Sequence, residues 1–200
     1  THKHMDHTAG VSELLSHYQV PVYGGAEERF DFEVIPVQHE EQFMVSQFTL
    51  KAIHLPGHTL GAVAYVCGQA LFTGDVLFGG GCGRIFEGQP EDMLLSLDRI
   101  RQLPDDHLVY FGHEYTSGNL QFAAMVEPDC DDIMNRIKAV TIPSVPSTLR
   151  LEKMTNPFLR IDEPSIIERV NEYVGHRVDD RAERLKYLRE WKNQFDRDNQ

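Results

Sequence analysis

"THKHMDH" (residues 1–7) packs three histidines, an aspartate and a lysine into seven positions, with methionine the only apolar residue. On an extended chain side chains alternate, so His2, His4 and Asp6 share one side. Positions two apart lie roughly 6.5–7 Å apart along a strand, near enough for two imidazoles to lean onto one cation through bonds of about 2.0–2.1 Å. His7 points elsewhere, and Asp6 can join it once the chain turns into the helix expected over "AGVSELLSHY" (9–18). One stretch can therefore feed two neighbouring cations. The bland alternative is a tag remnant or a solvated polar end. Tags, however, are uninterrupted His runs, and this cluster is interrupted and followed at once by a helical pattern.

Three later positions strengthen the metal reading. "LPGHT" puts His58 after a strand and a Pro-Gly turn, "LFTGDVLF" puts Asp75 just past an apolar run, and "VYFGHEYT" puts His113 in the same setting. Side chains at strand ends are held by a rigid scaffold yet face a cleft. The glycine before each permits a tight backbone approach. Five histidines and two aspartates exceed the three or four protein ligands of a single zinc. They suit two cations sharing one carboxylate, and Asp75 is the better bridge because Asp6 is tied to His7 by sequence. With no thiolate in the set, zinc, iron and manganese are all acceptable. His17, His39, His54, His107 and His176 lack such a context and read as surface or helix-end residues. Cys82, in "GGCGR", has no paired base and reads as structural.

The 200 residues are 41% hydrophobic and 25% charged, as in a globular protein, and no apolar run approaches the roughly 20 residues of a membrane span. The net charge of −12 argues against nucleic acid, whose phosphates need a basic patch. It does not exclude an anionic substrate, because bound cations would invert the sign locally. Three cysteines without a CxxC speak against a disulfide framework and for a reduced, cytoplasmic protein.

Short β-branched and aromatic runs at 21–24, 43–45, 48–56, 62–68, 70–75 and 107–113 read as strands, with helices at 9–18 and 90–103. Beyond residue 117 the pattern turns helical, at 118–128, 131–140, 164–175 and 179–195, around a proline-rich, partly extended passage at 141–160. The expected organisation is an α/β metal-binding part (1–117) followed by a helical part (118–200).

THxHxDH, GH, GD and GHE together resemble the metallo-β-lactamase superfamily. "GGCGRIFEG" (80–88), "GHEYT" (112–116), "TNPFLR" (155–160) and "LREWKNQF" (188–195) further resemble glyoxalase II, the hydroxyacylglutathione hydrolases. The resemblance implies an αββα sandwich with a C-terminal helical domain that completes the substrate site. It implies one metal on His2, His4 and His58, another on Asp6, His7 and His113, with Asp75 between them, zinc being the first choice. It implies hydrolysis of S-D-lactoylglutathione to D-lactate and glutathione by a metal-bound hydroxide, with Asp6 orienting it, in a monomer without membrane partners. Glutathione contacts would fall on Arg84, Phe86, Tyr115, Arg189 and Lys192. Family members often carry Lys and Tyr at the first two of these positions; Arg84 keeps the charge, whereas Phe86 cannot donate a hydrogen bond. Strands that precede THxHxDH in the family are absent, so a truncated chain with an uncovered sheet face is expected. A mononuclear iron persulfide dioxygenase has a similar motif; a lactonase, a nuclease or an inactive metal-binding fragment are further alternatives.

Overall fold

The computed structural model describes residues 1–199. The chain opens with short helices α1 (Met5–Thr8) and α2 (Val11–His17), then a small parallel pair, β1 (Tyr23–Gly25) and β2 (Ile35–Val37). A meander follows: β3 (Gln42–Val45), β4 (Phe48–His54), β5 (Val63–Cys67) and β6 (Ala70–Gly74), each antiparallel to the one before. A hairpin, β7 (Leu77–Phe78) with β8 (Gly81–Cys82), leads to helix α3 (Pro90–Arg101) and strand β9 (Leu108–Phe111). Then come α4 (Thr116–Val126), α5 (Asp131–Ala139), β10 (Ser147–Thr148), α6 (Leu149–Thr155), α7 (Pro164–Val174) and α8 (Arg181–Asp198). The main sheet runs β10-β9-β6-β5-β4-β3, with β6 and β9 parallel, joined by the α3 crossover.

The register divides this sheet into two unlike faces. Ile53 pairs with Ala64, Val66 with Leu71, and Leu71 with Val109, which puts these aliphatic side chains on one face. They share one core with Met93, Leu97 and Ile100 of α3 and Leu185 and Leu188 of α8. Helix α3 is well specified: Gln89 and Asp92 form a capping box, Pro90 opens the first turn, and Met93, Leu97 and Ile100 recur at helical spacing. Helix α8 starts at Asp180, whose side chain accepts from the Glu183 N–H at 2.8 Å. The opposite face pairs Ala52, Tyr65, Phe72 and Tyr110. Strand β1 covers one end of it, with Tyr23 stacked on Phe43 at 4.5 Å and Phe43 edge-on to Tyr65 at 6.0 Å. Toward the other end Phe72, stacked on Tyr110, stays exposed.

The α/β class and the helical C-terminal region are as expected. Three local expectations change. The opening cluster is extended only through His4, after which residues 5–8 make a helical turn. The proline-rich passage contains β10 and α6, the latter capped by Thr148, which accepts from the Leu151 N–H at 3.2 Å. Strand β2 and the β7–β8 hairpin are not among the expected strands: Pro36 interrupts the first, and each strand of the second is two residues long. Because β10 joins the main sheet and the core includes Phe122, Phe158 and Leu185, packing is continuous across residue 117. Among the described residues no helix is long and apolar enough to cross a membrane.

Candidate metal centre

Four separate stretches converge at one end of the main sheet. The extended start supplies His2 and His4, the α1 turn supplies Asp6 and His7, and the β4–β5 loop supplies His58. Asp75 and His113 follow the ends of the parallel neighbours β6 and β9, and the Gly112 N–H donates to the Gly74 carbonyl at 2.9 Å to align them. The preceding glycines matter for different reasons. Gly74 has φ 52°, which a side chain would strain; at Gly112 a Cβ would come within 2.3 Å of Asp75 Oδ1.

The seven side chains fall into two groups, His2/His4/His58 and Asp6/His7/Asp75/His113, with one ligand atom per residue and all such atoms of a group within 4.8 Å. In the first, His4 Nδ1 lies 3.1 Å from His2 Nε2 and 3.0 Å from His58 Nε2. In the second, Asp6 Oδ2 lies 3.0 Å from His113 Nε2 and 3.5 Å from His7 Nε2. Asp75 stands between them: Oδ1 is 3.3 Å from His7 Nε2, while Oδ2 is 3.2 Å from His113 Nε2 and 3.7 Å from His58 Nε2.

The surroundings of His2 and His58 favour the neutral form in which an imidazole could hold a metal. Burial, reinforced by the neighbouring His7, His58 and His4 rings, pushes His2 down to about 2, and burial also lowers His58. Both are therefore neutral near pH 7. His58 Nδ1 faces the Arg84 carbonyl oxygen at 2.9 Å, which fixes the proton there and turns the Nε2 lone pair toward the cluster. Asp75 Oδ1 is buried yet has no hydrogen-bond partner. A buried carboxylate oxygen without a hydrogen-bond donor, with His7 Nε2 3.3 Å away, is costly unless something positive sits beside it. The all-nitrogen-and-oxygen donor set, dominated by imidazole, fits divalent cations.

The centre forms one wall of a cavity of about 810 Å³. Arg84, Phe86, Tyr115, Arg189 and Lys192 all line it. Tyr115 stacks on His113 at 5.1 Å, and burial raises its phenol, which stays protonated as a donor. Phe86 is largely exposed and approaches His58 and His4 edge-on at 5.2 and 5.6 Å. Arg189 is buried and donates to the Cys82 carbonyl at 2.8 Å. Burial pushes the Cys82 thiol up, which leaves it a poor nucleophile.

Other features of the site carry no motif in the sequence. Glu152, fully buried, accepts from the Gly80 N–H at 2.8 Å, from Ser147 at 2.5 Å and from Arg136 at 2.5 Å. Asn156 donates to the Phe78 and Gly81 carbonyls at 3.3 and 2.9 Å. Together they hold the β7–β8 turn that precedes Arg84. Asp196 lines the cavity beside Lys192 and Arg189, and its only sequence signal was a Lys-Asp pair four apart on a helix. None of the five other histidines joins either group; His17, His39 and His176 are exposed, but His107 is buried, with Nδ1 3.0 Å from the Pro104 carbonyl oxygen.

Comparison with known proteins gives two family matches: the metallo-beta-lactamase superfamily over residues 1–113 and the hydroxyacylglutathione hydrolase C-terminus over residues 114–195. A hydroxyacylglutathione hydrolase of Nitrosomonas eutropha is 41% identical across 98% of this chain and 80% of its own length. Among solved structures, ETHE1 from Myxococcus xanthus superposes with a TM-score of 0.60 at 27% identity, covering 82% of this chain and 66% of that one. TTHA1623 in a di-iron-bound form gives 0.56 at 27% identity, covering 80% and 75%.

Proposed function

Because the chain belongs to the hydroxyacylglutathione hydrolases of the metallo-β-lactamase superfamily, we propose that it hydrolyses the thioester of S-D-lactoylglutathione, releasing D-lactate and glutathione. The observation that carries the proposal is Asp75, a buried carboxylate with an unpartnered oxygen, set between two ligand groups at the wall of a cation-lined cavity. His2, His4 and His58 would hold one divalent ion, Asp6, His7 and His113 a second, and Asp75 would be shared; zinc is the first expectation, with iron or manganese compatible with the same donors. Such ions supply an acidified water and Lewis-acid stabilisation of negative charge on the carbonyl oxygen.

The chain's own residues do the rest. The Asp6 carboxylate, exposed at the cavity, accepts a hydrogen bond from the attacking water and orients it toward the acyl carbon. Water adds hydroxyl to that carbon as the C–S bond breaks, and the departing sulfur takes up a proton. Arg84, Arg189 and Lys192 provide positive charge for the carboxylates of the glutathione moiety, and the Tyr115 hydroxyl donates to it. Phe86 offers its ring edge as an apolar wall. In this scheme residues 1–117 supply the chemistry and residues 118–200 complete the substrate site. The three unpaired cysteines, Cys67, Cys82 and Cys130, support a reducing compartment such as the cytoplasm.

The decisive experiment pairs metal analysis with thioester turnover for the wild type and Asp75→Ala. Two metals per chain and hydrolysis are expected in the wild type, with loss of paired loading and of most turnover in the variant. An Asp75→Ala protein that kept two metals and full turnover would refute the shared carboxylate. One iron per chain and oxygen consumption without hydrolysis would replace the hydrolase by a dioxygenase.

A further inference from the structure

Lys192 and Arg189 are almost completely buried cations on one face of α8, and both border the cavity. Asp196, one turn after Lys192, is ion-paired with the Lys192 ammonium and lies 3.7 Å from the Arg189 guanidinium. Among the described residues it is the only carboxylate paired with either cation. The two cations differ in what else holds them. Arg189 also donates to the Cys82 carbonyl at 2.8 Å and to Asn193 at 3.2 Å, so its position does not depend on Asp196. Lys192 has three N–H donors, and Asp196 is its only hydrogen-bond partner among the described residues. The acid is the more accessible member, with its side chain 26% exposed against 5% for Lys192 and 7% for Arg189.

We propose that Asp196 is an internal rival for the substrate's carboxylate: it offsets the charge of the Lys192 ammonium in the free protein and competes for that ammonium with an entering glutathione carboxylate. This rests on the glutathione-binding role proposed above for Lys192 and Arg189. Asp196 is then a specificity-determining residue. It weakens binding of any single anion, because the Asp196 charge already offsets the ammonium's attraction and repels a second carboxylate beside it. It also keeps a buried ammonium paired while the cavity is empty, which avoids the desolvation cost of an isolated charge.

The test compares wild type, Asp196→Asn, Asp196→Ala, Lys192→Gln and the Lys192→Gln/Asp196→Asn double variant, all metal-loaded. Calorimetry gives the Kd for the unreactive S-methylglutathione, and steady-state kinetics gives KM for S-D-lactoylglutathione and for a thioester whose thiol portion carries no carboxylate. Asp196→Asn should bind S-methylglutathione about fivefold more tightly, the scale of a partly exposed ion pair. KM for the glutathione thioester should fall in step, KM for the uncharged thioester should not move, and the gain should vanish in the double variant. Asp196→Ala should show the same direction, which separates loss of charge from a packing effect of the amide. If Lys192→Gln weakens binding but neither Asp196 variant tightens it, the rivalry is refuted and the glutathione reading stands. If Lys192→Gln binds S-methylglutathione as well as wild type does, both fall.

Discussion

Replacing Glu152 by glutamine tests the buried network that holds the β7–β8 turn. The carboxylate is fully buried and takes one hydrogen bond from the Arg136 guanidinium, one from the Ser147 hydroxyl and one from the Gly80 N–H. Arg136 has no other carboxylate partner among the described residues, and its side chain is 5% exposed. Removing one member of a buried ion pair costs about 3–5 kcal/mol, because the remaining charge stays out of water without compensation. The amide oxygen still accepts one bond, which places the expected loss near the lower limit, about 3 kcal/mol. That is a large share of a net stability of about 5–15 kcal/mol and corresponds to a fall in Tm of roughly 6–12 °C for a chain of this size. Urea unfolding with an unchanged m-value is the assay. A double-mutant cycle with Arg136→Met should give a coupling of at least about 1 kcal/mol, since the methionine leaves no stranded cation. A loss below about 1 kcal/mol for Glu152→Gln, or strict additivity in the cycle, would show that the pair is not what holds the turn.

Two further outcomes follow from local geometry. A Cβ at Gly83 would lie 1.9 Å from the Asp75 carbonyl oxygen and 3.1 Å from His58 Nδ1. Gly83→Ala should therefore displace both candidate ligands, lower the metal content and cut turnover by about 100-fold, the cost of a shift near 1 Å at a reacting centre; near-normal metal content and turnover would contradict this. Arg181 clamps Asp98 at 2.8 and 2.9 Å and Asp162 at 2.8 and 2.9 Å, and its hydrogen bonds hold the Asp162 carboxyl below the ordinary 3.8. A depressed carboxyl stabilises the fold above its unfolded pKa and loses that contribution as pH falls through the folded value. Arg181→Gln should thus cost about 1 kcal/mol at pH 5–7, given the partial exposure of the cluster. The gap to wild type should close below about pH 3.8, and a gap that widened in acid would reverse the assignment.

Much of the candidate centre, as a convergence of side chains, was legible because a metal site would restrict residue type and draw on strand ends. Asp75 and His113 could be found from an apolar run followed by glycine, and His2 and His4 from their alternation. The αR turn at Met5–Thr8 was harder to read, because four residues are too few for a helical period. Glu152 and Arg136 could not be paired from sequence, since neither lies in a motif and their partnership depends on how α5 meets α6. Strand β10 is two residues long beside two prolines, and only its pairing with β9 makes it a strand. Asp196 showed a helical spacing to Lys192, but such pairs are common on solvated helix faces, and only the cavity gives this one a setting.

The parallel pairing of β6 and β9 has a consequence for how a metal centre at this place would assemble. Asp75 and His113 become neighbours only after the whole α3 crossover has closed, which is a non-local and slow event. His2, His4, Asp6 and His7, in contrast, are close together from the moment the chain is made. If these residues hold a metal, an ion could bind this local cluster in the unfolded chain, and such binding would subtract from the stabilisation the folded centre derives from the same ion. The stabilisation an ion gives would then be set by the difference between its affinities for the closed centre and for this local cluster, not by the affinity of the completed site alone.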